Sequence, residues 1–299
     1  MHGRNNSGVK PSPDAAPRAV NAVRACALAL ALVCASVPVV AQQREGVNVG
    51  KRSAFTNLVP AQEVEKMAGQ QYKQVLEQAD SKNALAPPDN EELKRLRTIA
   101  QRLIPFATPW NERASQWQWE VNLIGSKQIN AYCMPGGKIA FYTGILRTLQ
   151  LTDDEAAMVM GHEMAHALRE HARERMGKST VTTGAARLGG ALLSGWLGID
   201  PNLTDMVAQQ GANLLNLKFS REDESEADLV GMEIAARAGY DPRAGITLWE
   251  KMGANNKGAP PQWLSTHPAS GTRIADMQAA MPSVMPLFER ARAAQGGKP

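Results

Sequence analysis

Apolar residues recur at helical spacing in two stretches between residues 60 and 103. Residues 60–79 form the first, and residues 89–103 form the second after a break at Pro87-Pro88. Asp89 is the predicted N-cap of the second helix, with Glu92 completing a capping box. Residues 42–59 show little periodicity and are interpreted as a lead-in.

A period of two replaces the helical spacing further along. Trp117–Leu123 alternates between apolar and polar residues, which predicts a strand. Two more short strands are predicted over Gln128–Cys133 and Lys138–Tyr142, separated by Pro135, Gly136 and Gly137. These patterns predict an α+β fold that is mostly helical and carries a small antiparallel sheet.

Two later helices have clear start signals. Thr152 is an N-cap with Glu155 three residues on, and Ser220 is an N-cap with Asp223 three residues on. Gly239 is expected to end the second of these helices.

Two regions are less regular. Residues 177–217 are rich in Gly, Ala and Leu, but the apolar run is interrupted by Arg187 and is too short to span a membrane. We interpret it as a mobile helical cover over a cleft, with packing against a membrane surface or a second subunit as the alternative. Residues 282–299 are predicted to end the chain as a short helix and a polar tail.

The candidate chemistry begins with His162-Glu163-Met164-Ala165-His166. On a helix the two histidines share one face and can reach one metal ion. Glu163 lies about 100° round the helix, where a general base for the attacking water is needed. The alternative is a helix with two solvated or core histidines.

A third ligand is needed, because a catalytic zinc usually has three protein ligands. Glu224 and Asp228 are four residues apart, so they share a helical face. We assign Glu224 to the metal and Asp228 to orienting a ligand histidine. Glu226 is expected to face elsewhere. The alternative is a solvated acidic helix start.

Four ordered blocks carry a resemblance to a known family. They are His162–His166, Ser220-Arg-x-x-Glu-x-Glu-Ala-Asp228, Leu264-Ser-Thr-His267-Pro268 and Asn130–Gly144. Together they resemble the zinc metallopeptidase family that includes HtpX, BepA, LoiP and the CAAX prenyl protease, over about residues 90 to 281. The chain resembles a periplasmic member of the LoiP and BepA type, but no tetratricopeptide-like repeat follows the catalytic region, unlike in BepA.

The resemblance implies a zincin-type metallopeptidase domain with its sheet beside the active-site helix. It implies one Zn²⁺ per chain, held by His162, His166 and Glu224, with Glu163 as the base. His267 matches a histidine that in some members approaches the zinc and holds the enzyme off. Three roles stay open for His267: a donor to the oxyanion, a fourth ligand, or a turn residue before proline.

The segment Asn130–Tyr142 is a candidate substrate edge, because an exposed strand can hold an extended peptide by main-chain hydrogen bonds. Asn130, Ala131, Gly136 and Gly137 are the candidate substrate-binding residues there, and a plain core hairpin is the alternative. Arg273 is a further candidate for substrate binding. Pairing with an acid near the site, or a surface salt bridge, would also account for Arg273.

The net charge of +4 gives no argument for nucleic acid, because residues 1–41 contribute four basic residues against one acidic residue. Those residues are predicted to be a secretory signal peptide, with an apolar run from Ala25 and cleavage before Gln42. An uncleaved membrane anchor is the alternative. Domain boundaries follow: signal peptide 1–41, lead-in and helix 42–88, and zinc metallopeptidase domain 89–299.

Of 3 cysteines, Cys26 and Cys34 fall in the predicted signal, so Cys133 has no partner for a disulfide within the mature chain. A small apolar residue in a strand is its expected role.

These observations predict a periplasmic zinc endopeptidase that clears misfolded or stalled cell-envelope proteins. Association with the outer membrane is compatible with the sequence. The expected partners are unfolded or misfolded envelope proteins, with no nucleic acid; peripheral membrane association and a homo-oligomer are compatible with the sequence. The alternative is a chaperone-like binding factor whose protease activity is latent. Glu163 favours the enzyme, because a structural zinc site has no use for a base there.

Overall fold

The computed structural model describes residues 45–191, 214, 217–254, 262–267 and 271–296, and of residues 182–191 only the backbone. The predicted signal peptide, most of the predicted cover and the end of the polar tail therefore lie outside the described residues. The predicted domain boundaries remain predictions.

The two helices predicted near the start are present. Helix α1 spans Ala61–Asp80 and helix α2 spans Glu91–Leu103. The N-cap of α2 is Asn90 rather than Asp89, and its side chain accepts a hydrogen bond from the backbone of Leu93. The helix therefore begins one residue later than predicted, and its buried face includes Leu93 and Leu103. Asparagine caps as well as aspartate does, so sequence alone did not separate the two.

The lead-in is tied to the rest of the protein at several points. It contains a 3-10 turn over Ala54–Leu58. The buried carboxylate of Glu233 accepts a hydrogen bond from the backbone of Val47 at 2.8 Å. The carbonyl of Val59 accepts one from Arg173 at 2.5 Å.

The sheet has three strands: β1 (Glu120–Ile124), β2 (Ala131–Met134) and β3 (Lys138–Tyr142). Further 3-10 turns at Ile104–Phe106 and Glu112–Gln116 lead into it. The predicted α+β, mostly helical fold is confirmed, but the sheet is mixed rather than purely antiparallel. The strand order is β1-β3-β2; β1 runs parallel to β3 and β2 runs antiparallel to it. Only β2 and β3 are joined by a tight turn, which dictates antiparallel pairing for that pair alone.

Helix α3 (Thr143–Thr148) leads into helix α4 (Asp153–Leu168), which carries both histidines of the metal motif. The Thr152 and Glu155 capping box is present as predicted. Every residue from Glu155 to Leu168 is buried, so α4 runs through the middle of the protein. Helix α5 (His171–Ala191) follows at once.

Helix α6 (Arg221–Arg237) starts at the predicted capping box of Ser220 and Asp223. Gly239 follows it with a φ of +81°, the left-handed conformation expected after a helix end. Helices α7 (Ala244–Ala254), α8 (Gln262–Thr266) and α9 (Gly271–Ala294) complete the described fold.

The prediction of a short helix beginning at residue 282 is wrong. Helix α9 begins at Gly271 and continues through Pro282 and Pro286. Its buried residues Arg273, Met277, Val284 and Leu287 pack on the body of the protein. That packing outweighs the helix-breaking tendency of the two prolines, which is the reason the local signal failed.

The backbones of α4 and α6 approach closely at two glycines. A Cβ added to Gly161 would lie 2.8 Å from the carbonyl oxygen of Gly231, and one added to Gly231 would lie 2.7 Å from the backbone nitrogen of His162. Neither distance leaves room for a methyl group. The glycine pair therefore lets the two helices cross immediately beside His162.

The main core surrounds α4 and includes apolar residues of α2, β3 and α6, while a second cluster joins α1 to the other face of the sheet. Tyr72 of α1 donates a hydrogen bond to the carbonyl of Ile139 at 2.5 Å. Within the described part of the chain, no helix has both the length and the apolar character required to cross a bilayer.

Candidate metal centre

His162, His166, Glu224 and His267 form one buried cluster. Their candidate ligand atoms all lie within 4.8 Å of one another, and each residue is at most 3% exposed. Helix α4 contributes the two histidines from one face, α6 contributes the glutamate from its first turn, and His267 lies just after α8. Three segments that are distant in sequence therefore meet at one point.

The distances within the cluster are short. The Nε2 atoms of His162 and His166 are 3.0 Å apart. The Glu224 carboxylate lies 3.6 Å from Nε2 of His162 and 3.5 Å from Nε2 of His166. Nδ1 of His267 lies 3.0 Å from Glu224 and 3.3 Å from Nε2 of His162.

The chemistry of this donor set fits a divalent cation. The other ring nitrogens of His162 and His166 each face a separate partner, Asp228 and His171, so both Nε2 lone pairs can point into the cluster. Two lone pairs 3.0 Å apart repel each other, and a cation between them and the carboxylate removes that repulsion. Imidazole nitrogens with one carboxylate are a donor set typical of zinc enzymes.

The electrostatics agree with a neutral His166. Burial, and then the neighbouring rings of His162 and His267, hold the pKa of His166 well below its usual value. His166 is therefore neutral, as a metal ligand must be. Burial alone would lower the pKa of His267, but Glu163 and Glu224 outweigh it and raise that pKa.

Asp228 lies beside His162, the ligand histidine that it is predicted to orient. One oxygen of Asp228 lies 2.9 Å from Nδ1 of His162. Burial alone would raise the pKa of this carboxyl group, but Arg273 and His162 outweigh burial and lower it. Asp228 is thus an anion that accepts a hydrogen bond from Nδ1–H of His162, which turns Nε2 toward the cluster.

The assignment of Arg273 to substrate binding is wrong. Arg273 is 1% exposed. It donates to Asp228 at 2.5 and 2.6 Å, pairs with Glu224 at 2.7 Å, and lies over the ring of Trp249. A guanidinium enclosed by two carboxylates and an indole is not accessible to substrate, so the alternative of an acid near the site is the one observed.

Glu163 has a partner that the sequence did not reveal. The indole N–H of Trp263 donates to Glu163 at 2.6 Å. Trp263 is 1% exposed and stacks on His267, with 4.9 Å between ring centroids. Trp263 directly precedes the Leu264–His267 block in the sequence, but only the fold brings its indole to Glu163.

His171 was also missed. It lies beside His166, on the side away from the cluster. The chain has only 5 histidines, and four of them meet here. Three of those four fall within ten consecutive residues, a concentration that could have pointed to His171. Glu226, expected to face elsewhere, contacts His171 at 3.3 Å.

A cleft opens in front of Glu163, His166 and His267. Its lining includes Asn130 and Ala131 from the predicted substrate edge. The cleft is also lined by other parts of that edge and by residues of later segments, most of them apolar: Tyr132, Cys133, Met134, Pro135, Ala167, Ala172, Leu214, Leu217, Phe219 and Thr266.

Gly136 and Gly137, two of the predicted substrate-binding residues, are not among the described residues that line the cleft. Both have positive φ, +86° and +78°, and form the turn between β2 and β3. Gly137 packs against the ring of Trp119 and Gly136 lies near Glu65, so neither reaches the cleft. The sequence signal was a turn signal, and the structure places these residues in the turn between β2 and β3.

Cys133 has the expected role of a small apolar residue in a strand. It lies on β2 and is 8% exposed. Burial, and then the charge of Glu163, raise the pKa of its thiol well above the usual value. A protonated, buried thiol is a poor nucleophile.

Comparison with known proteins agrees with this geometry. The profile of peptidase family M48 matches residues 90–281. The chain is 39% identical to the mitochondrial metalloendopeptidase OMA1 of Arabidopsis thaliana over 155 residues, which is 52% of this chain and 30% of that protein. It is 30% identical to OMA1 of Schizosaccharomyces pombe over 80% of this chain and 66% of the relative. It is 30% identical to the metalloprotease LoiP of Escherichia coli over 70% of this chain and 78% of LoiP.

The prediction of a periplasmic protein is contradicted by these relatives. Mitochondrial metalloendopeptidases of a plant, two yeasts and human are among them. Membership of this group therefore does not place a chain in the periplasm. Residues 1–41, on which the prediction depended, lie outside the described residues.

The chain spans only about a third of the length of the plant relative and just under two thirds of the fission yeast relative. The family match itself covers most of the described residues and includes every member of the buried cluster. The predicted peptidase family is confirmed. The chain belongs to peptidase family M48.

Proposed function

We propose that this protein is a zinc-dependent endopeptidase that cleaves extended segments of misfolded or stalled proteins. The observation that carries the proposal is the position of Glu163. Its carboxylate lines the cleft directly beside the cluster of His162, His166 and Glu224. A purely structural metal site would have no use for an acid at that position.

Zinc fits the donor set, and when bound it would supply Lewis-acid polarisation of the scissile carbonyl and lower the pKa of water. Glu163 is the group that accepts the proton of the attacking water and returns it to the leaving amine. The indole of Trp263 fixes one oxygen of Glu163 at 2.6 Å, so the base is held in a defined direction. Asp228 and Arg273 hold His162 and Glu224 in place from behind.

The edge of the sheet supports recognition of the substrate through its main chain. Strand β2 lies at the end of the strand order and pairs only with β3 among the described strands. The carbonyl of Asn130 accepts a hydrogen bond from Tyr142 of the paired strand. Because hydrogen-bonding directions alternate along a strand, the backbone groups of Ala131 and Cys133 point away from β3.

Asn130, Ala131 and Cys133 line the same cleft as Glu163. An added peptide strand would therefore pass in front of the base. Main-chain recognition accepts varied sequences but requires an extended segment. Such segments are available in unfolded, misfolded or stalled proteins, which is why we propose these as substrates.

The test is Glu163→Gln in the full chain, with cleavage of casein as the readout. We expect cleavage to fall about 10²–10⁴-fold while zinc content stays at one per chain, because only the proton acceptor is lost. Glu222→Gln is the matched control, since Glu222 is an exposed acid on α6. Undiminished cleavage by Glu163→Gln would overturn the proposal, as would cleavage unaffected by a chelator.

A second candidate function is supported by His267. Its Nδ1 atom lies among the donor atoms, 3.3 Å from Nε2 of His162, so His267 can act as a fourth ligand. A fourth protein ligand would keep the protease inactive while the cleft still binds unfolded protein. Minor states are commonly about 0.1–10% populated, so His267→Ala should raise casein cleavage about tenfold or more if the ring acts as a lock. Cleavage that falls in this variant would instead make His267 a helper in catalysis.

A further inference from the structure

The two ligand histidines differ in what holds their second ring nitrogen. Nδ1 of His162 faces a carboxylate, Asp228, at 2.9 Å. Nδ1 of His166 faces another imidazole, Nδ1 of His171, also at 2.9 Å. Ligand histidines usually face a carboxylate, a backbone carbonyl or water, so the second arrangement is unusual.

The geometry fixes where each proton must be. With the lone pair of His166 on Nε2, its proton is on Nδ1 and is donated to Nδ1 of His171. His171 must then carry its own proton on Nε2. That atom lies 3.3 Å from an oxygen of Glu226, which can accept the proton's hydrogen bond.

The contacts from His166 to His171 and from His171 to Glu226 form a series that continues beyond Glu226. The second oxygen of Glu226 pairs with Arg169. Arg169 in turn donates to the carbonyl of Gly50 in the lead-in at 2.5 Å. His171 and Arg169 are 1% and 8% exposed, so water competes little for these contacts. The series therefore joins the end of α4, the first residue of α5, α6 and the lead-in.

We propose that His171 is a positioning residue for the metal, held in the required tautomer by Glu226 and Arg169. This inference rests on the proposed function, since it acts on the same metal site. Nδ1 of His171 accepts a hydrogen bond from Nδ1–H of His166 and so keeps Nε2 of His166 available and correctly directed. A neutral acceptor leaves His166 a weaker electron donor than His162, whose acceptor is an anion.

The experiment measures zinc affinity by chelator competition and thermal unfolding of the metal-free protein, on the full chain. His171→Leu removes the acceptor and should weaken zinc binding about ten- to hundredfold. His171→Asn returns an acceptor oxygen near the position of Nδ1 and should recover most of that loss. Glu226→Leu removes the carboxylate one step away and should weaken binding less than His171→Leu. Glu222→Leu, on the exposed side of the same helix, should leave the affinity unchanged.

A cobalt-substituted protein gives a second readout, because its visible spectrum reports the geometry of the ligands. The spectrum should change in His171→Leu and return toward wild type in His171→Asn. If His171→Leu fails to fold, Glu226→Leu carries the test, since that side chain is 24% exposed.

Wild-type affinity in both leucine variants would overturn the inference. An Asn variant no better than the Leu variant, with equal losses of thermal stability, would also overturn it by showing a structural role alone. Failure of the proposed function is distinguishable, because the wild-type protein would then bind no zinc or would cleave no casein with zinc bound.

Discussion

The two ends of helix α4 are built on different principles. At its start, hydrogen bonds join Glu155 to Thr152 and to Lys251. These contacts stabilise the helix end and take no part in the metal site. At its other end, His162 and His166 face further ionisable groups in the interior, including two acids from α6. Burying such groups costs stability unless each one is paired, so the second end depends on partners far away in sequence.

The largest expected effect comes from breaking that pairing. Arg273→Leu leaves Asp228 and Glu224 without their shared guanidinium in the interior. We expect the free energy of unfolding of the metal-free protein to fall by about 3–5 kcal/mol. Urea unfolding in the presence of a chelator measures this loss.

Arg243→Leu is the matched control, because Arg243 pairs with Asp241 while 65% exposed. Its expected cost is about 0–1 kcal/mol. Equal losses in the two variants would show that the metal end of α4 is no more dependent on pairing than the surface is.

The next effect concerns activity rather than stability. Trp263→Phe keeps a ring against His267 but removes the N–H that Glu163 accepts. A hydrogen bond to a charged group is worth about 1.5–3 kcal/mol, so kcat/KM for an unfolded substrate should fall about ten- to hundredfold. Zinc content should not change, because phenylalanine keeps a ring against His162 and His267 and only the N–H is lost.

Trp119→Phe serves as the control, since its indole N–H donates to the carbonyl of Ala114 beside the sheet, away from the cleft. It should leave kcat/KM unchanged. A Trp263→Phe enzyme with the kinetics of the control would mean that Glu163 needs no orientation by the indole.

A substitution at the crossing of α4 and α6 should have a smaller effect on stability and should also weaken zinc binding. Gly231→Ala places a methyl group 2.7 Å from the backbone nitrogen of His162. Overpacking of this kind costs about 1–3 kcal/mol, and separating α4 from α6 moves Glu224 away from the histidines. We expect lower unfolding stability together with weaker zinc binding.

Gly253→Ala is the control for the same substitution in a helix. A Cβ at Gly253 meets nothing within 4 Å, so alanine there should stabilise the protein by about 0.5–1 kcal/mol. Unchanged zinc affinity in Gly231→Ala would show that the crossing tolerates a wider separation of the helices.

The same contrast explains what could be predicted from the sequence. The capping boxes at Thr152 and Ser220 are local signals, and both are present as predicted. The i, i+4 spacing of His162 and His166 is equally local, and the structure brings both rings into one cluster. The pairing of Trp263 with Glu163 spans 100 residues, and nothing in either segment alone specifies it.

Arg273 shows a second limit of what can be predicted from the sequence. Three roles were compatible with its sequence position, and only the packing of α9 on α6 decides among them. The turn at Gly136 and Gly137 was recognised correctly as a turn, but which way it points is a tertiary property. Local geometry is thus readable from the sequence, whereas the direction of a side chain toward the site is not.

The smallest expected effect is at the start of α4, and its sign follows from the pKa of Glu155. Burial alone would raise that pKa, but hydrogen bonds from Lys251, the backbone of Thr152 and the hydroxyl of Thr247 outweigh burial and lower it. A carboxyl group with a lowered folded-state pKa stabilises the protein above its unfolded-state pKa, and this contribution is lost as the pH falls through the lower, folded-state value. Glu155→Gln should therefore cost about 1 kcal/mol at neutral pH, and the difference from wild type should shrink toward zero as the pH is lowered into the acid range.

Urea unfolding of both proteins with a chelator, over a series of pH values, measures that difference without interference from metal binding. Glu77→Gln is the control, because Glu77 is 63% exposed and its pairing with Lys73 at 3.7 Å lies in solvent. The control should differ from wild type by less than about 0.5 kcal/mol at every pH. A Glu155→Gln difference that stays constant with pH would show that the start of α4 gains its stability from packing rather than from an ionised cap, and the contrast between the two ends of the helix would lose its electrostatic basis.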